Sequence, residues 1–215
     1  MRSFENWRTQ ELEETFGIKR IFDSPLLTTW LNATYDFSER EIEDINDLAW
    51  DLFRRVEYWN EDELKFQFIA PFVRLVDFNE VEGVSLFTQR FIKAKVNQVE
   101  LGGVVDFVVA KGYEMPKPPY FFIHEYKQET RHSTSPSGQL LSEMIAAYSL
   151  NQNNLPVLGC FVTGRLWFFV VFDENKYALS DGLRATDPKE AKQIVAMLHF
   201  AKYFIADAVR NLTPA

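Results

Sequence analysis

Three charged residues stand inside two strongly apolar runs. Asp106 lies in GGVVDFVVAKG and Glu125 and Lys127 lie in YFFIHEYKQE, with the turn YEMPKPP between. Side chains alternate along a strand, so Glu125 and Lys127 share one face and His124 and Tyr126 the other. Apolar residues on both faces of each run suit central strands covered on both sides. Ionised groups there are costly unless paired or metal-bound. Two carboxylates from adjacent strands can converge on one point, and hard oxygen ligands of this kind favour Mg²⁺ or Mn²⁺. Tyr126 offers its backbone carbonyl as a further ligand. Lys127 then stands beside the ion, placed to orient or activate a water for attack on a phosphodiester.

Two more residues join that reading. Glu63, on a helix preceding the strands, would add a ligand, directly or through water; it equally suits a charge complementing the helix dipole. Gln139, in the first turn of a later helix, could hold the water or a phosphate oxygen. Lys93, Lys95, Arg165 and Trp167 could line a phosphate and base-stacking groove, or be ordinary exposed strand positions. Asp106, Glu125 and Lys127 could also be a plain buried ion-pair cluster kept for specificity. His124 and His132 fit no metal-ligand pattern, and Cys160 reads as a small buried hydrophobe.

In this order the pieces (Glu63, Val105-Asp106, Glu125-Tyr126-Lys127, Gln139) resemble the PD-(D/E)XK nuclease superfamily over roughly residues 60–173. The likeness is to its single-domain, restriction-endonuclease-like members, including those related to type I restriction nuclease domains. It extends to uncharacterised bacterial proteins reading N-E-x-E-L-K, H-E-Y-K, G-Q-L and G-R-x-W-F-F. Val105 stands where the family has proline. The resemblance implies a metal-dependent phosphodiesterase core with Asp106, Glu125 and Lys127 at its centre.

The rest of the chain must position these groups. Residues 1–58 read as a helical extension: Ser24-Pro25 starts one helix, and the capping box Ser38/Glu41 starts another with Ile42, Ile45, Ala49, Leu52, Phe53 and Val56 inward. A helix over 60–78 follows, its stripe Glu63, Phe66, Ile69, Ala70 and Val73, distorted at Pro71. Strands at 84–96 and 100–110, the Glu125 strand, a helix from Ser135-Pro136, strands at 157–163 and 165–172, and a last helix from Asp187-Pro188 complete a core over 59–215. The expected fold is α/β: a restriction-endonuclease-like α/β/α sandwich on a five-stranded mixed sheet, with N-terminal helices and a C-terminal helix, packed as one domain.

Composition sets bounds. With 47% apolar and 15% aromatic residues the chain is globular rather than disordered. One cysteine excludes an internal disulfide, and no apolar run is long enough to span a bilayer. No basic-then-apolar leader is seen, so the expected location is cytoplasmic. The net charge of -8 argues against tight non-specific DNA binding but leaves a nuclease open through a local groove or a bound cation. Two functions are expected as alternatives: a Mg²⁺-dependent nuclease acting on nucleic acid, DNA first, or an inactive module of that fold binding nucleic acid or a protein partner. Cutting both strands with one site per chain would favour a homodimer.

Overall fold

The computed structural model describes residues 1–127 and 135–212, the His124 side chain excepted. His132 and most of the polar loop expected before the Ser135 helix lie outside the described residues. In chain order, β1 (Arg2–Ser3) leads through a 3-10 turn into α1 (Thr9–Phe16), β2 (Lys19–Arg20), α2 (Pro25–Leu31) and α3 (Glu39–Arg55). Ser24 Oγ accepts a hydrogen bond from Leu27 N at 3.3 Å, fixing the start of α2. The α3 start is the expected reciprocal box, with Ser38 N donating to Glu41 Oε2 at 2.8 Å and Glu41 N to Ser38 Oγ at 3.3 Å. Ile45, Ala49, Leu52 and Val56 are its buried stripe, while Phe53 is exposed and stacks on Trp50.

The next helix comes in three pieces: α4 (Glu61–Leu64), a π turn (Lys65–Ile69) and α5 (Ala70–Arg74). Pro71 has no N–H for the Gln67 carbonyl, and its ring crowds that carbonyl. The helix widens just before it, Ala70 N reaching back to Lys65 O. The wider turn resets the stripe: Leu64, Phe68, Ile69, Phe72 and Val73 are buried, and Phe66, expected inside, is 81% exposed. The helix ends at Arg74, and a separate 3-10 turn covers Phe78–Glu80.

β3 (Val84–Val96) and β4 (Val99–Lys111) form a long hairpin. Its two turn residues, Asn97 and Gln98, have φ of +46° and +69°, the pair of positive values a two-residue type I′ turn needs. β5 (Lys117–Lys127), α6 (Pro136–Asn151), β6 (Val157–Thr163), β7 (Leu166–Asp173), β8 (Lys176–Leu179), β9 (Leu183–Arg184) and α7 (Pro188–Leu212) follow. The fold is mixed α/β, but its sheet has nine strands rather than five. The path runs β1-β4-β5-β6-β7-β8-β2, with β3 along β4 and β9 on β7. The five expected strands are its middle. β1 and β2 are two residues each and β8 is four, too short to show an alternation, so the N-terminal segment supplies strands as well as helices.

Strand residues alternate between two apolar clusters. Phe107, Val109, Phe169 and Val171 join the cluster built with α2, α3, α5 and α7. Val108, Ala110, Val170 and Phe172 join the one built with α1 and α6. α6 lies close to the N-terminal segment: a Cβ on Gly138 would stand 2.3 Å from the Trp7 carbonyl oxygen. Gly138→Ala is therefore expected to cost about 1–3 kcal/mol in chemical denaturation, since backbone must move.

Candidate functional site

Asp106 stands at a break in strand pairing. β5 pairs with β4 as far as Phe107 opposite His124, and one further step of that register sets Asp106 opposite Glu125. On the same edge of β4, β1 takes over at Leu101 and Gly102. The Asp106 carboxylate occupies the interval. Its Oδ2 accepts from Tyr126 N at 3.4 Å, and its Oδ1 from Gln89 Nε2 at 2.7 Å and Lys65 Nζ at 3.0 Å. The Lys127 carbonyl accepts from Gly164 N on the β6 side. Backbone groups alternate along a strand, so the Tyr126 carbonyl points to the other edge, toward the Asp106 interval.

Glu125 is 1% exposed, and Lys127 Nζ lies 2.6 Å from its Oε1. Beyond that ion pair, neither Glu125 oxygen has a hydrogen-bond partner among the described residues. Burial, and the neighbouring Asp106 charge, push the Glu125 carboxyl up to about 8 against the pull of Lys127. Burial opposes the charge on Lys127, but Glu125 outweighs it and holds the ammonium above its ordinary range. The amine stays cationic.

A residue the sequence reading passed over completes the cluster. Glu143, in the middle of α6, is fully buried, and Gln139 Nε2 donates to its Oε1 at 3.3 Å. Burial, then the charge of Glu125, raises its carboxyl well above the usual range. Its Oε2 and Gln139 Oε1 have no hydrogen-bond partner among the described residues. A lone acid in a helix apolar all round was the signal available, reinforced by its i, i+4 spacing from Gln139.

Glu63 is placed elsewhere. It is exposed and closes a capping box with Asn60: Asn60 N donates to its Oε2 at 2.8 Å and Glu63 N to Asn60 Oδ1 at 2.9 Å. Glu61 is the acid of this helix that reaches the centre, through Lys65. Lys65 Nζ is 2.9 Å from Glu61 Oε1 and 3.0 Å from Asp106 Oδ1. Glu63→Ala is expected to lower stability by about 1 kcal/mol in thermal melts and to leave hydrolysis rates unchanged.

Gln89 is also new. It sits mid-strand in β3 with φ of +50°, where a non-glycine residue is strained. From there its amide makes the 2.7 Å bond to Asp106.

The expected groove residues do not gather here. Lys93 and Lys95 pair with Gly102 and Glu100, four and six residues along β4 from Asp106, or about 13 and 20 Å. Lys93 is also ion-paired with Glu100 at 3.1 Å. Arg165 pairs with Glu57 at 3.2 Å. Trp167 is completely buried against Phe68 and Phe72, so no base can stack on it. Strand alternation marked it as sharing a face with Phe169 but not which face is covered.

Four carboxyls (Glu61, Asp106, Glu125, Glu143) thus meet two lysines, an excess of acids that matches the raised carboxyls of Glu125 and Glu143. Among the described residues no group of three or more His, Cys, Asp or Glu is placed to hold a metal ion. Mg²⁺, however, commonly takes one or two carboxylates and keeps several waters. Asp106, the Tyr126 carbonyl and, once ionised, Glu125 are oxygen groups of the kind that ion takes, and Glu125 Oε2 is buried with no hydrogen-bond partner among the described residues. A larger cleft of about 930 Å³, lined by Tyr35, His199 and Lys202 among others, shares no residue with this cluster. No helix among the described residues is long and apolar enough to cross a membrane.

No family model matches the chain, and no curated protein matches it. A solved structure titled "cryoEM structure DrdV-DNA complex" is similar at TM-score 0.43 and 17% identity, covering 78% of this chain and 14% of that one.

Proposed function

We propose that the protein is a Mg²⁺- or Mn²⁺-dependent nuclease built on a PD-(D/E)XK, restriction-endonuclease-like core, with DNA as the expected substrate. One observation carries this: Asp106 and Glu125 come from neighbouring strands, near enough for the Asp106 charge to raise the Glu125 carboxyl, and the Lys127 ammonium lies 2.6 Å from Glu125. Asp106, Glu125 and the Tyr126 carbonyl would hold a divalent cation, which when bound would supply Lewis-acid polarisation and lower the pKa of a water on it. Lys127, held cationic, orients the attacking water and balances charge on the phosphate rather than removing a proton. Gln139 Oε1 can accept a hydrogen from that water. Lys65 and Gln89 fix the Asp106 carboxylate from the other side.

The inactive-module alternative is favoured by one fact: Asp106 Oδ1 already accepts from both Lys65 and Gln89. Labelled single-stranded DNA, duplex DNA and RNA, incubated with Mn²⁺ or with chelator, decide between them. Metal-dependent cleavage abolished in Asp106→Asn supports the nuclease. Wild-type protein that cuts none of them overturns it.

A further inference from the structure

A cavity of about 530 Å³ adjoins Asp106, a size that takes a small-molecule-sized group. Asp106, Lys65 and Tyr126 are among the residues that line it. Phe66, Val73, Leu86 and Phe107 are among its apolar walls, and Thr88 and Asn79 add polar groups. Phe66 stands at this cavity with four-fifths of its surface exposed. The π turn puts it there, and the same turn aims Lys65 at Asp106. Arg74, also lining the cavity, is exposed and has no carboxylate partner among the described residues.

We propose that this cavity receives one unstacked nucleobase of the substrate, next to the phosphate at Asp106, so that the protein cuts single-stranded or frayed nucleic acid in preference to closed duplex. The inference rests on the nuclease reading. The occupant follows from what the cavity shares with the centre: a group lying in it and reaching Asp106 spans an apolar planar end and a phosphate end. A nucleotide has those two ends. Phe66 supplies a stacking face, and Lys65 and Arg74 supply positive charge for the adjoining phosphate beside Asp62 and Asp77, which also line the cavity. A base paired inside a duplex cannot enter without being flipped.

The test uses the full chain with Mn²⁺, and two oligonucleotide probes of one sequence carrying 2-aminopurine beside the cleavage position. One probe is single-stranded and the other closed into a hairpin duplex. The expected result is cleavage of the single strand at least tenfold faster, with a fluorescence change on binding that reports the base leaving its neighbours. Phe66→Ala, an exposed change that spares the core, should slow single-strand cleavage about tenfold, the equivalent of one lost stack. Leu86→Trp, which fills the cavity, should do so more strongly. Equal cleavage of both probes, with neither substitution altering the rate, overturns the base cavity and leaves the nuclease standing. Absence of cleavage of both probes, with an intact Mn²⁺ titration, overturns the nuclease reading and the cavity with it.

Discussion

Lys127→Ala is expected to lower phosphodiester hydrolysis by roughly 10³-fold while Mn²⁺ still binds. Lys127 reaches the centre only through its ammonium, 2.6 Å from Glu125 Oε1, and supplies no ligand atom from its side chain. Removing it takes away the group that orients water and balances phosphate charge, but leaves Asp106, Glu125 and the Tyr126 carbonyl. Breaking a buried ion pair ordinarily costs about 3–5 kcal/mol. Here the cost should be smaller, because the abandoned Glu125 carboxyl can take a proton, its affinity for one being already raised by burial and by Asp106. Single-turnover cleavage and calorimetric metal binding on the same preparation check both halves. Loss of metal binding together with rate would mean that Lys127 organises the carboxylates rather than the water.

Glu125→Gln should stabilise the protein at alkaline pH in the presence of chelator. The Glu125 carboxyl holds its proton to about pH 8 in the folded chain, against 4.5 as its ordinary value. The folded state therefore binds more protons between those limits, and stability falls as pH rises through that window. What Glu125 contributes is fully present below about pH 4.5 and is lost above pH 8. A glutamine cannot ionise, so the variant should match wild type near pH 5 and exceed it by roughly 2 kcal/mol at about pH 9. Each tenfold rise in proton affinity on folding is worth about 1.4 kcal/mol, and the coupled neighbours Asp106 and Glu143 take part of the total. Denaturant melts at the two pH values measure this. Equal stability of the two proteins under the alkaline condition would show that Glu125 is ionised without penalty, contrary to its buried setting.

The same setting explains what could and could not be seen in the sequence. Charges inside apolar runs are conspicuous because burying them is costly, and alternation alone put Glu125 and Lys127 on one face. Helix starts at Ser24-Pro25, Ser38/Glu41 and Ser135-Pro136 were legible because each is a local arrangement of three or four residues. Glu61 and Glu63 were exchanged for two local reasons. The Asn60 side chain turns Glu63 back on the helix end, and the π turn before Pro71 swings Lys65 inward so that it links Glu61 to Asp106. Periodicity at 3.6 residues cannot show an inserted residue. Glu143 was legible as a lone acid in a helix apolar on every side, but nothing local to that helix says that it packs toward Glu125. Gln89 could not be found at all, since its role depends on a positive φ in the middle of a strand.

The most direct test of the central claim, that Asp106 and Glu125 share one cation, is calorimetric titration of Mn²⁺ into wild type and Asp106→Ala. One site is expected in the wild type, tightening as pH rises toward 8 while Glu125 gives up its proton, and no binding in the variant. Binding of equal strength in both proteins, or none in the wild type at that pH, would contradict it.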